Sequence, residues 1–585
     1  MWLSRTAQLK ARYREVLGWL AVGGGLVWLQ GDGVLAVLSQ AFKPNRVNDD
    51  ALQQIFPFFG YFGSSAFSGD YIAQYYLDCY PIGYLGLYAA AAKLGLDPTA
   101  LSRGLPFPLW MISVAFLGLA ANRLAGKLAA FAAMALALGS NAIMERIGGG
   151  LPRSFGFPIL SGTLLALAYG RVGWCALCVA LGALFYPVAG VISGLSLAGM
   201  VLASDVVGSQ AARWSWARRF GVVAATAMLA VLLLLPSFIS SRRYGDVVRP
   251  WETREYPEAG SRGRYDARSR PPFPGFFASL PAPLDVALLA ARPFSETGQE
   301  WREVKRRRPS AEGYRTLKGA LLVLVLIGGA GLFVRNASAR RVLLLGVASG
   351  AGHAVAREIA PLAYLPDRYV AYSAPLLAWL CVSTAGAGLF PRSFGAGPRR
   401  WLKFGSLGAG LATLLFFLTG VCTPTAGLTV DLRDGKRIYE AIGQLPPNAV
   451  VAGWPEGPVD QIPYAARRRV LLNSEVHQAF HKRYIEEMRR RMAALIDAYF
   501  ATSPEPIRKL RDEFGVTHII VRRSHLESRP PSYFRPFDRW IARSVRDARG
   551  KPFELGNHFR KAKVMSEDGY VLLDLERVVP RDDRK

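Results

Sequence analysis

Residues 220–238 read FGVVAATAMLAVLLLLPSF, nineteen positions without a charged side chain. A stretch of that length and character suits the ~30 Å hydrocarbon core of a bilayer, which a helix crosses in about 20 residues. Arg213, Arg218 and Arg219 stand immediately before it. Basic residues flanking a span favour the cytoplasmic side, so this segment fixes both a class and an orientation. Similar runs recur at about 16–38, 106–121, 128–143, 155–170, 172–203, 316–334, 342–360, 370–388 and 404–422. With 51% hydrophobic residues over 585 positions and a mean hydropathy of +0.18, the chain is too apolar for an ordinary soluble protein. The expected fold is a polytopic α-helical membrane protein of about 10–12 transmembrane helices with a C-terminal soluble α/β domain.

Two segments are ambiguous. Residues 80–96 either span or lie in the interface. Residues 172–203 form one span or, broken at Tyr186-Pro187, two. The orientation downstream is the same if 80–96 spans and 172–203 is one helix, or if 80–96 is interfacial and 172–203 is two. The second choice also places Arg123 and Lys127 inside, with the N-terminal cluster and Arg335, Arg340, Arg341, Arg392, Arg399, Arg400 and Lys403, and is preferred. The expected division is then a membrane domain over 1–425, with outward loops 39–78 and 240–315, and an extracytoplasmic α/β domain over 430–585.

The formal net charge of +28 does not point to nucleic acid. No basic stripe interleaved with stacking aromatics is present, and loop cations in such a chain set orientation and meet anionic headgroups. The pair Cys175-Ala-Leu-Cys178 has metal spacing but lies inside an apolar run without a second pair, so both read as small buried hydrophobes. His477 and His481 lack a third ligand and read as surface histidines. In the tail, Val450–Ala452, Val470–Leu472 and Val516–Val521 read as strands. Tyr484, Met488, Met492, Leu495 and Tyr499 mark one helix face, Ile507–Phe514 a second helix ending at Gly515, and Lys563–Leu575 a hairpin turning at Asp568-Gly569.

The chemistry-bearing residues cluster around the outward loops. Asp49 and Asp50 follow the first apolar segment, in Asn48-Asp49-Asp50-Ala51, ahead of the aromatic run Ile55-Phe56-Pro57-Phe58-Phe59. A plain reading is an N-cap pair opening a surface helix. Arg146 and Arg153 flank Gly148-Gly149-Gly150, a run whose backbone N–H groups can approach an anion. His353 and Arg357 share a helix face within a span, beside Glu358, and Asp367-Arg368-Tyr369 opens the next span. Ionisable residues within a span are costly and usually line a cavity. Asp70 and Asp78 are further acids in the first loop.

In order, the first helix, Asp49-Asp50, Tyr80-Pro81-Ile82-Gly83-Tyr84, Leu94-Gly95-Leu96, Arg103-Gly104-Leu105-Pro106 and the basic turn Asn122–Lys127 resemble the GT-C superfamily of membrane glycosyltransferases, best over about residues 15–175. The tail, from Val450-Val-Ala-Gly-Trp454 through Val516-Thr-His-Ile-Ile-Val521, is more loosely similar to the α/β domains of oligosaccharyltransferase-like members. Their Trp-Trp-Asp signature is absent, with Gly453-Trp454-Pro455 in its place, which puts transfer to Asn sequons in doubt. The resemblance implies a lipid-linked sugar donor on a polyprenyl (di)phosphate and an extracytoplasmic acceptor. It makes Asp49 the general base, with Asp50 assisting, orienting the acceptor or helping to bind a divalent metal whose need is unknown. Arg146, Arg153, His353, Arg357 and Arg368 are the candidates for the donor phosphate. The implied location is the plasma membrane of a bacterium, N-terminus inside. A flippase for a lipid-linked substrate and a non-catalytic protein of the same fold are the competing readings. Against the flippase, no inverted repeat is visible.

Overall fold

The computed structural model of the chain describes residues 2–260, 262–264, 336–387 and 426–580. By length and composition, four helices among the described residues can cross a membrane: Tyr13–Ala41, Pro98–Ala125, Trp216–Tyr244 and Ala337–Ile359. Around them pack the shorter apolar helices Lys127–Leu138, Gly156–Tyr169, Val172–Phe185, Pro187–Leu202 and Ser373–Ala387. The chain is a polytopic helical membrane protein carrying a C-terminal α/β unit. The expected spans 316–334 and 404–422, and most of the loop 240–315, lie outside the described residues.

Proline settles both ambiguous segments. Within 80–96 a helix begins only after Pro81 and covers Ile82–Lys93, 12 residues. At ~1.5 Å per residue it is too short for a hydrocarbon core. Within 172–203, Pro187 forces Tyr186 out of the helical region, to φ −149° and ψ 93°. The run becomes two helices, Val172–Phe185 and Pro187–Leu202, that fold back on each other. They touch at a pair of glycines, since a Cβ on Gly182 would stand 2.2 Å from Gly190 Cα.

Of the basic residues expected inside, Arg123, Lys127, Arg219 and Arg341 lie among the described residues and gather at one end of this bundle. Arg123 lies over the Tyr169 ring at 5.4 Å and Lys127 over Trp19 at 5.9 Å. Arg219 pairs with Asp205 through Nη1–Oδ2 at 2.6 Å. Arg341 is buried and donates to the carbonyls of Leu167, Ala168, Val207 and Gly208 at 2.6–3.3 Å, satisfying orphan groups at helix ends. The opposite end of the bundle holds the turns at 148–156, Tyr186 and 360–372, where helices Gly156–Tyr169 and Pro187–Leu202 begin.

The C-terminal unit is built on a five-stranded sheet ordered Arg469–Val470, Val450–Gly453, His518–Arg522, Tyr570–Asp574, Lys563–Glu567. The first three strands are parallel, and the last two form an antiparallel hairpin. Its turn falls at Asp568 and Gly569, both with positive φ (49° and 79°), as a two-residue hairpin of the right twist requires. Helix Lys482–Tyr499 buries Tyr484, Met488, Met492, Leu495 and Tyr499, and helix Glu505–Phe514 stops at Gly515.

Several connections among the described residues seat this unit on the membrane part. Arg46–Val47 pairs antiparallel with Val430–Asp431, and Asn45 donates to Asp431 at 2.9 Å. The segment that follows helix Trp216–Ser241 straps helix Lys482–Tyr499. There Lys482 pairs with Glu252 at 2.7 Å, Arg489 with fully buried Glu258 at 2.7 Å, and Tyr256 donates to Glu486 at 2.8 Å.

Candidate active site

Asn48 organises the acid pair. Its side chain caps the short helix Asp49–Gln54 by accepting the Ala51 N–H, and its Nδ2 donates to Gly427 O at 2.7 Å. The Asp49 N–H donates to Thr429 Oγ1 at 3.3 Å. The two acids are thus stitched to the chain just ahead of the C-terminal sheet.

The acids themselves are treated differently. Asp50 forms an ion pair with Arg153, both side chains being partly shielded. Arg153 also reaches Asn48 Oδ1 at 3.4 Å. Among the described residues Asp49, which is exposed, makes no ion pair, and its Oδ1 accepts the Asp50 N–H at 2.9 Å.

The three glycines are a buried seat for Asn48 rather than an open anion loop. Gly149 and Gly150 have φ of +89° and +60°. A Cβ on Gly149 would stand 2.9 Å from Asn48 Oδ1. Ser102 donates to Gly149 O at 2.5 Å, and Tyr84 and Tyr88 donate to Gly150 O at 3.3 and 3.0 Å.

A second centre adjoins the acids. Arg368 sits in the one-turn helix Pro366–Tyr369. Among the described residues its Nε and Nη1 are buried without a hydrogen-bond partner, and so are the hydroxyls of Tyr186 and Tyr372. The Tyr186 and Tyr372 rings lie 5.4 Å apart, and Tyr372 packs on Gly156, where a Cβ would come within 2.8 Å of its ring. His353 Nδ1 is 2.8 Å from Pro366 O. That bond makes Nδ1 the donor and aims Nε2, buried and unpartnered, away from the turn. Tyr364 links the two centres: burial raises its phenol above the ordinary range, the Arg368 charge opposes the shift, and the Asp50 charge adds to it.

Of the residues singled out from sequence, Asp49, Asp50, Arg153, His353 and Arg368 therefore lie at one end of the bundle. Arg357 is half-exposed one turn beyond His353, and Arg146 has the charge of Glu145 as its neighbour; neither has a described contact with the others. Asp70 caps helix Tyr71–Cys79, and Asp78 is taken by Arg243 and Tyr244. His477 and His481 are paired with Tyr533 and Tyr75, and the full burial of His477 overturns the surface position expected of it. Cys175 and Cys178 are free and buried. Among the described residues no group of three ligand side chains could hold a metal ion. Tyr186, Tyr364 and Tyr372 were not marked by sequence reasoning. The Tyr186-Pro187 break was visible, but only as a helix boundary.

No protein-family model matches the chain. No curated protein matches it. Among solved structures, it is similar to the archaeal oligosaccharyltransferase AglB from Archaeoglobus fulgidus in complex with an inhibitory peptide and a dolichol-phosphate, at 12% identity, over 88% of this chain and 70% of that one, with a TM-score of 0.46. It is similar to ArnT from Cupriavidus metallidurans in the apo state, at 15% identity over 94% and 98%, with a TM-score of 0.45. It is also similar to that protein bound to undecaprenyl phosphate, at 14% identity and a TM-score of 0.46. The likeness does not reach residue roles, which rest on the geometry above.

Proposed function

We propose that the chain is a glycosyltransferase that moves a sugar from a polyprenyl (di)phosphate to an acceptor outside the cytoplasm, with Asp49 as general base. One observation carries the reading. Asp49 is an exposed carboxylate with no ion pair among the described residues, its neighbour Asp50 and Arg368 both act on Tyr364, and Arg368 Nε and Nη1 and the hydroxyls of Tyr186 and Tyr372 are buried with no partner among those residues. Buried donors left unsatisfied cost about 1–3 kcal/mol each, and an anion entering that centre offsets the cost.

The chemistry divides between the two halves. Asp49 accepts the proton of the acceptor hydroxyl as its oxygen bonds to the anomeric carbon. The bond from that carbon to the phosphate oxygen breaks, and the electron pair leaves with the phosphate. Arg368 meets the growing negative charge, with Tyr186 and Tyr372 as hydroxyl donors. His353 holds the Arg368 turn through Pro366. Asp50, tied to Arg153, keeps the loop in register and leaves Asp49 free. One base suffices for an inverting transfer.

The same reading places the acid pair and residues 430–585 outside, because the basic residues gather at the opposite end of the bundle. Membrane lipids and the lipid-linked donor are its partners. The test is Asp49→Asn in full-length protein. Transfer should fall by about 10²–10⁴-fold with expression unchanged; full transfer by the variant removes the base assignment. In intact cells, Ser503→Cys should react with an impermeant thiol reagent. Reaction only after permeabilisation reverses the orientation.

A further inference from the structure

The loop that carries the acid pair meets the membrane part over a cleft. Its walls come from three places in the sequence: Val47 and Asn48 of the first loop, Ser102, Arg103 and Phe107 of the span Pro98–Ala125, and Leu428 just ahead of the C-terminal unit. The walls are mostly apolar, and the interior has room for about one water molecule. Arg103 supplies their charge. It ends the short helix Pro98–Gly104, and its Nη2 donates to Pro44 O at 2.8 Å. Its Nε is buried without a hydrogen-bond partner among the described residues.

What flanks the cleft has the character of a membrane interface. Phe42, the first residue past the span Tyr13–Ala41, is 62% exposed. It stacks on Phe107, with ring centroids 6.1 Å apart and planes 12° from parallel. Lys43 beside it is exposed. Aromatic rings at the ends of spans sit at headgroup level, and basic side chains there attract anionic lipids. A water molecule would satisfy Arg103 alone. A lipid phosphate satisfies the guanidinium and the ammonium together, and the glycerol and chains behind it cover the two rings.

We propose that this cleft is the seat of an anionic phospholipid from the adjoining leaflet, its phosphate on Arg103 and Lys43 and its upper chains over Phe42 and Phe107. Arg368, Tyr186 and Tyr372 are not among the walls, and the seat does not depend on the sugar-transfer reading. It bears on the acid loop all the same, because Asn48 lines the cleft and Pro44 is tied to Arg103. A lipid held there clamps residues 42–48 from the membrane side, as the strand Val430–Asp431 does from the tail.

The test uses full-length protein with Phe42 replaced by the photo-crosslinker p-benzoylphenylalanine. It is placed in phosphatidylcholine vesicles carrying a minor fraction of labelled phosphatidylglycerol or, in parallel, labelled phosphatidylcholine. Yields are read on the fraction that stays monodisperse after extraction, so misfolded protein does not count. Phosphatidylglycerol should crosslink about fivefold or more above phosphatidylcholine. Arg103→Gln should remove most of that preference, and Arg103→Lys, which keeps the charge, should retain part of it. Lys93→Gln, which removes an exposed charge outside the cleft, should leave it within about twofold. Equal yields for the two lipids overturn the inference and leave water as what Arg103 meets. A preference that survives Arg103→Gln overturns it too. So does one that Lys93→Gln lowers as far as Arg103→Gln, the mark of the net charge of +28 rather than of a site. Displacement of the label by undecaprenyl phosphate at lower concentration than by phosphatidylglycerol would assign the cleft to a carrier lipid instead, and likewise overturn it.

Discussion

The guanidinium of Arg153 closes on the carboxylate of Asp50 and leaves its neighbour Asp49 without a counter-ion. Adjacent acids in one helical turn point in different directions, so one cation can engage only one of them. The glycine seat decides which. It holds Asn48, and Asn48 and Asp50 share Arg153. Removing either member of the pair should therefore loosen the loop without touching the exposed acid. Arg153→Gln and Asp50→Asn should each destabilise by about 1–2 kcal/mol, between the values for surface and buried pairs. A double-mutant cycle by thermal denaturation should return a coupling energy of that sign and size. A zero coupling would show that the pair does not hold the loop.

Arg368 predicts an opposite balance between stability and binding. Its buried Nε and Nη1 lack partners, so Arg368→Met should leave the apo protein as stable as wild type or more so. In vesicles containing undecaprenyl phosphate, wild type should gain thermal stability as the lipid is titrated in, as any ligand of the folded state requires. The variant should lose most of that gain. Equal stabilisation of both proteins places the anion elsewhere.

Gly149→Ala tests the seat beneath the acids. The position has φ +89°, and the new Cβ would meet Asn48 Oδ1 at 2.9 Å. Backbone strain of this kind costs about 1–3 kcal/mol, and here it also displaces the cap that orients Asp49. Transfer should fall more steeply than stability. Gly148→Ala serves as a poor control, since its Cβ would meet Met144 O at 2.9 Å; Gly86→Ala, with open space around it, should be silent in both assays.

The C-terminal domain carries groups that titrate with opposite signs. Burial lowers His477 to about 3, His481 to about 4 and His525 to about 4. The unfolded chain then binds more protons than the folded one below ~6.5, so these groups stabilise at neutral pH and lose that effect as pH falls. Asp460 goes the other way, raised by burial to about 7. Its folded form holds a proton that the unfolded form releases near ~3.9, so its contribution is present at low pH and lost as pH rises through 7. His518 is lowered too, and Glu456, Glu475 and Asp497 are raised with Asp460; the large shifts of the three histidines outweigh them, and denaturation midpoints should fall on acidification from pH ~6.5 to ~4. Asp460→Asn should match wild type near the acid end and gain on it steadily up to pH ~7. A difference between the two proteins that does not vary with pH would show that Asp460 is ionised throughout.

Much of this architecture is legible in the chain because apolar length and proline act locally. Pro81 and Pro187 break helices wherever they stand, and the tail's strands and helices follow from their own periodicity. The acid pair, Arg153 and Arg368 could be picked out because charge near a membrane span is expensive. What sequence does not display is satisfaction. Tyr186 and Tyr372 look like ordinary aromatics in apolar runs, and only packing reveals that their hydroxyls have no partner. The glycine run was expected to approach an anion, but Gly149 lies against Asn48, and the N–H groups of Gly148 and Gly150 are donated to the carbonyls of Met144 and Ile147.

The ladder joining Arg46–Val47 to Val430–Asp431, with the Asp49–Thr429 bond 380 residues apart in sequence, also bears on how the protein is made. The loop bearing the acids leaves the ribosome early, but the strand that fixes it is synthesised only after the membrane helices have been inserted. Contacts of such long range form last. A nascent chain therefore carries Asp49 on a loop held by Arg153 and the glycine seat but not yet by Thr429 and its strand. On the proposed function, the acid loop is complete only when the tail emerges and clips it into place, so a chain halted before residue 430 should lack transfer.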